Sequence, residues 1–510
     1  MRHSRIFTII AMLFTFSIAS TAQSAYDALN FSQFEYEGSA RSVAMGNAFT
    51  ALGGDMGAIS INPAAVSVFR HSAFTFTPSI INTSSSSSYL TDLSGYKSND
   101  LKLSNIGFVF NMNTGNYSGV MSVNFGITVN RSYDFTSNLV ASGTTSESSW
   151  LASQAFKTGG VNVRDLEDMS LDPYSMGIPW NSILAWDTYL LATLPDSDQD
   201  YIAATENITD DGSIVIGGPL DQDFIRNVSG GVTDITFSIG TNINDMIYLG
   251  ANFTSHILSY DIYECYSEFA VSSNDFQEGF NKFSQIYNQR TSGSGVSMKL
   301  GAIVTPIAGL RLGATFTTPT WYDLSDYWTM DMNSSFNNGN SYNAFSPEGY
   351  YNYSITTPLR WGLGAAYTLG NFALLSFDYE NINYSSITME GSKSDRGIFA
   401  EENKYIRDNF QDAHNFRAGI ELNFNQFAVR GGYNYSTDAE IGIASNKESF
   451  SLGFGYRLTK SCSLDFAYTQ KINPYKEYFQ LYDSYDGIMA PEGSVTHNKN
   501  KFLLTLGWRF

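Results

Sequence analysis

Met121-Ser-Val-Asn-Phe-Gly-Ile-Thr-Val129 alternates without a fault. Met121, Val123, Phe125, Ile127 and Val129 fall on one side, with Ser122, Asn124, Gly126 and Thr128 on the other. Period two with one greasy face describes a strand half-exposed to an apolar medium. The chain ends in the same pattern: Phe502, Leu504, Leu506, Trp508 and Phe510 interleave with Lys501, Thr505, Gly507 and Arg509. Fourteen such segments are readable, at 72-82, 102-112, 118-131, 233-243, 246-262, 294-305, 309-321, 353-369, 371-384, 412-424, 426-437, 447-458, 462-471 and 499-510.

Short turns, such as Asn113-Thr114-Gly115-Asn116, Pro306-Ile307-Ala308-Gly309 and Leu369-Gly370-Asn371, alternate with longer loops. The longest loop runs over about 132-233. An even strand number with short turns at one end and long loops at the other predicts a 14-stranded antiparallel transmembrane β-barrel. Lipid leaves no solvent for unpaired backbone groups, so a spanning sheet has to close on itself. Trp321, Trp361, Tyr433, Tyr435 and Trp508 suit the aromatic girdles at the two interfaces. A soluble β-sandwich is the rival that alternation alone does not exclude.

Composition agrees with the barrel. The 510 residues include 37 Phe, 32 Tyr and 43 Gly but only 12 Pro, and 15% are charged. A formal charge of -20 argues against nucleic acid, whose phosphates need a Lys/Arg footprint. Residues 1-22 read as a secretory signal: basic Arg2, His3 and Arg5, an apolar core from Ile6 to Ala19, then small residues. Cleavage after Ala22 and after Ser24 fit equally. Cys265 and Cys462 fall at opposite barrel ends and are read as unpaired. No metal-ligand spacing and no nucleophile motif stands out, so neither a catalytic site nor a cofactor is expected. Asp196-Ser197-Asp198-Gln199-Asp200 resembles the start of a calcium loop. However, Tyr201 and Asn207 stand where that loop needs Gly and Glu.

One stretch is unlike the rest. Gly38 to Phe69, GSARSVAMGNAFTALGGDMGAISINPAAVSVF, is rich in Gly, Ala and Ser and carries few charges. Inside a barrel wide enough for an aqueous lumen, it would be the filler. The expected organisation is therefore a signal at 1-22, a hatch at 23-70 and the barrel at 71-510.

Within that frame, Gly38-Ser39-Ala40-Arg41, Ala44-Met45-Gly46-Asn47-Ala48-Phe49 and Asn62-Pro63-Ala64 resemble the amino-terminal hatch of the FadL/TodX family. These are outer-membrane transporters of long-chain fatty acids and other hydrophobic compounds. Pro358-Leu359-Arg360-Trp361-Gly362-Leu363-Gly364 and Phe416-Arg417-Ala418-Gly419-Ile420-Glu421 are similar to the family as well. Asn47, Ile61 and Ala65 depart from its pattern. The resemblance implies passive uptake of hydrophobic small molecules through a plugged barrel in the outer membrane, without a chemical reaction. A non-transporting structural or adhesin barrel is the alternative.

Candidate residues follow. Gly46, Asn62, Pro63 and Ala64 are either a gate or a turn leading into the first strand. Alternation turns Arg311, Arg360, Arg417 and Arg430 inward, either to meet a carboxylate headgroup or to pair with wall acids and with Glu35, Glu37 and Asp55 of the hatch. Trp180, Leu184, Trp186 and Leu191 sit on an amphipathic stretch of the long loop, either as a greasy capture groove or as loop self-packing. Gly126 is a candidate kink for lateral release, which the family performs near its third strand. Phe510 resembles the terminal signal read by barrel-insertion machinery. The barrel is expected to act as a single copy, with outer-membrane lipid around it.

Overall fold

The computed structural model describes residues 24–510 apart from 168–176, 394, 444–445, 473 and 475. The expected signal, residues 1–22, lies outside the described residues.

Fourteen antiparallel strands close into one barrel. In chain order they are β1 Ala73–Tyr89, β2 Asp92–Asn113, β3 Val120–Asp134 (resumed at Ser137–Thr145), β4 Leu220–Ile243, β5 Ile247–Ala270 and β6 Phe280–Ile307. There follow β7 Leu310–Thr317 (resumed at Trp321–Phe336), β8 Gly349–Thr356 (resumed at Arg360–Leu369) and β9 Ala373–Asn383. The last five are β10 Asp412–Phe424, β11 Phe427–Ser436, β12 Lys447–Arg457, β13 Cys462–Ile472 and β14 Glu492–Arg509. Neighbours in sequence are neighbours in the wall, and β14 returns to β1 from Ala73↔Arg509 to Tyr89↔Gly493. Pro319 and Pro358, which have no N–H for a ladder, interrupt β7 and β8 at one level. Thr357 N donates to Thr320 O at 3.0 Å and holds the pair across the gap.

The strands run well past the alternating segments at the long-loop end. In β6 the greasy outward face ends at Val296, and Arg290 and Asn288 take its place, while Phe283 and Tyr287 turn inward and are buried. Above the lipid the pattern inverts, polar outside and apolar inside, so the outward periodicity disappears while the strand continues. The 132-233 loop is shorter than expected for the same reason: β3 and β4 occupy both of its ends, and the connection proper is 146–219.

That connection and the other long loops fold into a dome with its own core. Helices α4 Trp150–Thr158 and α6 Trp180–Asp187, with α5 Val163–Glu167 between them, pack on Tyr266, Phe280 and Phe283. Before the barrel, α1 Ala25–Ser32 reaches up into this dome, and α2 Ala40–Ala44, α3 Met56–Ile61 and a 3-10 turn at Pro63–Val68 fill the lumen lower down. Among the described residues no helix is long and apolar enough to cross a membrane.

Candidate functional site

The hatch meets the wall on a girdle of glycines. Gly107, Gly126, Gly240, Gly250, Gly301, Gly313, Gly364, Gly419, Gly432 and Gly453 come from ten different strands. A Cβ on Gly301 would overlap Asn62, on Gly250 the Pro63 carbonyl, on Gly313 the Thr50 carbonyl, on Gly432 the Gly46 backbone and on Gly453 Ala44. Only a wall without side chains admits backbone this close. Polar ties complete the fit. Asn62 is fully buried; its Nδ2 donates to Thr50 O (2.6 Å) and Ala302 O (3.2 Å), and its Oδ1 accepts from Ala64 N (3.0 Å). Pro63 opens the 3-10 turn that Asn62 caps, so the Asn-Pro-Ala step is both a turn and a wall contact. Thr50 N and Oγ1 both donate to Asp378 at 2.8 Å. Gly46 and Asn47 take left-handed backbone (φ 64° and 54°), a conformation that Asn tolerates better than most residues.

Gly126 belongs to this girdle, which corrects the expected kink. The ladders run unbroken through it, to Val109 on β2 and Ser238 on β4, and a Cβ there would sit 3.2 Å from Val66 Cγ2 of the hatch. Farther up, β2 and β3 lose their ladder and meet again where Ser94 Oγ lies 3.2 Å from Ser142 Oγ. The β2–β3 ladder ends at Asn105↔Asn130; above it Asp92–Ser104 pairs only with β1, while the rest of β3 pairs only with β4. Leu101 and Leu103 stand exposed on the outer side of that free edge.

Between the hatch body and the dome runs an arm, residues 33–37. It lies along the lumen wall from the break in the β2–β3 ladder to β8. At the break, Glu35 N donates to Ser132 O (2.8 Å), Lys501 Nζ bonds Glu35 (2.9 Å) and also Glu37, and Ser104 Oγ donates to Glu37 (3.0 Å). Farther along, Phe34 lies under the Arg360 guanidinium (4.2 Å to the ring centroid) and Tyr36 under that of Arg417 (4.6 Å). The Tyr36 hydroxyl donates to Glu380 at 2.7 Å.

The four inward arginines are not equivalent. Arg417 pairs with Glu380 (2.7 Å), Arg430 with Glu421 (2.7 Å) and Asp465 (2.6 Å), and Arg311 donates to Leu52 O (2.6 Å). Arg417 and Arg430 thus pair with wall acids, whereas Arg311 meets a hatch carbonyl instead of an acid. Arg360 is 8% exposed, makes no hydrogen bond or ion pair among the described residues, and leaves Nη1 without a partner. It borders a small cavity with Phe31, Phe34, Tyr322, Ile382 and His256, four residues up β8 from the girdle glycine Gly364. Glu380, two residues beyond Asp378 on the same strand face, is buried as well.

His256 carries a feature no motif revealed. Its Nδ1 meets Asp234 Oδ1 at 2.6 Å and its Nε2 meets Ser297 Oγ at 2.8 Å, because register sets Asp234 opposite His256 across two strands. Asp234 also accepts from Ser132 (2.8 Å). Ser297 is buried and Asp234 and Ser297 do not line the cavity, so the relay is a polar tie between strands that meets the cavity through His256.

In the dome, Trp180, Leu184 and Leu191 face inward and are buried, and Trp186 packs half-buried beside them. The self-packing alternative holds for this stretch, which corrects the capture groove. Asp196–Asp200 is a turn in which Ser197 donates to Asp200 (2.7 Å). Among the described residues no three His, Cys, Asp or Glu are placed to hold a metal. Both cysteines are free.

Comparison with known proteins agrees with this architecture. The solved structure of a Pseudomonas aeruginosa FadL homologue is 12% identical, with a TM-score of 0.56 over 94% of this chain and 99% of that one. The Pseudomonas putida toluene transporter TodX is 13% identical, with a TM-score of 0.51 over 94% of this chain and 99% of that one. At such identities the likeness speaks for the fold. No curated protein matches the sequence. The family described as outer membrane protein transport protein (OMPP1/FadL/TodX) matches residues 227–484, more than half of the chain. The chain belongs to that family of outer-membrane transport channels for hydrophobic compounds, which are not enzymes.

Proposed function

We propose that the protein admits hydrophobic molecules bearing an anionic head, long-chain fatty acids among them, and that Arg360 receives the head. The observation that carries this reading is the unpaired, buried guanidinium facing a cavity walled by Phe31, Phe34, Tyr322 and Ile382. A buried guanidinium nitrogen left without a hydrogen-bond partner is costly, and a bidentate carboxylate would supply one. The Phe34 ring stacks on that guanidinium.

The hatch body stays where it is, and the arm moves. Cargo that displaces Phe34 from Arg360 pulls on Glu35 and Glu37, whose bonds with Lys501 and Ser104 hold the arm across the break in the β2–β3 ladder. Release is then lateral, past Leu101 and Leu103, since the girdle closes the way along the axis. The free edge of β2 above Asn105 supports this route. Asn62, Pro63, Ala64 and Gly46 act as fixed anchors, against which the arm pivots. Phe510, exposed at the end of β14 with its N–H bonded to Ser72 O (3.0 Å), is suited to recognition by insertion machinery.

The test is binding of a fluorescent long-chain fatty acid to the purified barrel, with uptake into cells as the second readout. Arg360→Ala is expected to weaken binding about tenfold or more, as for a charge-assisted hydrogen bond worth roughly 1.5–3 kcal/mol. Arg311→Ala should leave it within about twofold. Equal binding by wild type and Arg360→Ala would remove the assignment.

A further inference from the structure

A second cavity, of about 380 Å³, opens among the outer loops, well away from Arg360. Its floor is the short hairpin Leu191–Thr193 with Tyr201–Ala203, and its sides come from Gln277–Glu278 and from the end of β7 with the turn after it. Two aromatic rings stand at its edge. Tyr189 and Tyr342 lie 4.4 Å apart between centroids, inclined at 42°, and Tyr189 is 64% exposed.

Tyr189 is held there against its own preference. Its φ is +58°, left-handed backbone that a bulky residue rarely adopts, and it is fixed by Tyr189 N to Trp186 O (3.0 Å) and Leu190 N to Ala185 O (2.8 Å). The strain is spent on an exposed ring, not on a packed one.

The charges in the cleft have one sign. Glu206 and Glu278 line it, and no Lys, Arg or His does among the described residues. Neither carboxylate has an ion-pair partner among the described residues; Glu206 accepts from Ala203 N (2.8 Å), and its burial lifts the carboxyl above the ordinary range. A carboxylate guest would meet two uncompensated acids. A compact cation would meet an aromatic face and a cleft of uncompensated negative charge, with the apolar Leu191 and Phe336 beside it for a tail.

We propose that this cleft binds the alkylammonium head of a cationic amphiphile. It is a site separate from the lumen: its charge is opposite to that of Arg360, so the two do not serve the same end of one ligand. The proposal does not rest on the fatty-acid reading.

The experiment uses the full chain in lipid nanodiscs and calorimetry with three probes of one shape: benzyltrimethylammonium, benzyl alcohol and phenylacetate. The ammonium is expected to bind at least about tenfold more tightly than the other two. Glu206→Gln and Tyr342→Ala should each weaken it about tenfold. Both variants should keep barrel mobility on unheated gels and should keep Arg360-dependent fatty-acid binding. Protonation of Glu206 removes its charge, so ammonium affinity should fall with pH, beginning above the usual carboxylate range. Phenylacetate or benzyl alcohol binding as tightly as the ammonium would overturn the proposal, as would wild-type affinity in both variants. Failure of Arg360→Ala to affect fatty-acid binding would leave this result untouched.

Discussion

The body of the hatch and its arm share one lumen and are held there by different physics. The body, Ser39 to Val68, sits against ten wall glycines, backbone to backbone at Gly250, Gly313, Gly419 and Gly432, and its polar ties end on main-chain groups and on buried side chains such as Asp378. The arm touches the wall through side chains alone beyond the Glu35–Ser132 bond: rings under guanidiniums, carboxylates on lysine. Side-chain contacts exchange partners without moving a strand, whereas glycine contacts permit no such exchange. The lesson is that one plug contains a fixed part and a replaceable part.

Three substitutions sharpen or break that contrast. Gly432→Val drives a side chain into the Gly46 backbone, and overpacking of a site that cannot relax costs about 3 kcal/mol or more. The expected outcome is loss of the compact barrel band on unheated gels. Asn62→Ala leaves Thr50 O and Ala64 N short of a partner in a dry site, for roughly 2 kcal/mol, read as a lower unfolding midpoint in urea with the barrel still formed. Phe34→Ala takes away a stacked ring and should cost the least, about 1 kcal/mol, while tightening fatty-acid binding, since cargo no longer has to displace the ring from Arg360. A Phe34→Ala barrel as unstable as Gly432→Val would erase the distinction between body and arm. Unchanged binding would remove the arm from the gate.

The sequence reading reached the barrel because lipid writes its signature on every spanning strand, Met121 to Val129 most plainly. It stopped short at the dome because the signature depends on the medium. Phe283 and Tyr287 occupy the face that polar residues hold lower in β6, so alternation continues with its meaning reversed. The inward arginines were legible as a set, since parity fixes which face a residue takes. What separates Arg360 from Arg417 is a partner, Glu380, whose position across the β9–β10 ladder is a matter of register. Gly126 was singled out for the wrong reason. A glycine in a strand marks either a bend or a close approach, and the approaching Val66 comes from a segment sixty residues earlier. The relay of Asp234, His256 and Ser297 was illegible for the same cause, three strands contributing one residue each.

The glycine girdle also bears on how the molecule is built. The body of the hatch precedes β1 in the chain, yet it touches strands from β2 round to β14 with no slack. A finished cylinder offers no path for a part that fits so closely. The close fit predicts that the wall forms around the hatch rather than receiving it afterwards. The small-residue stretch is thus a template for its own container, and a chain from which Ser39 to Val68 is deleted should insert more slowly and close with strands out of step.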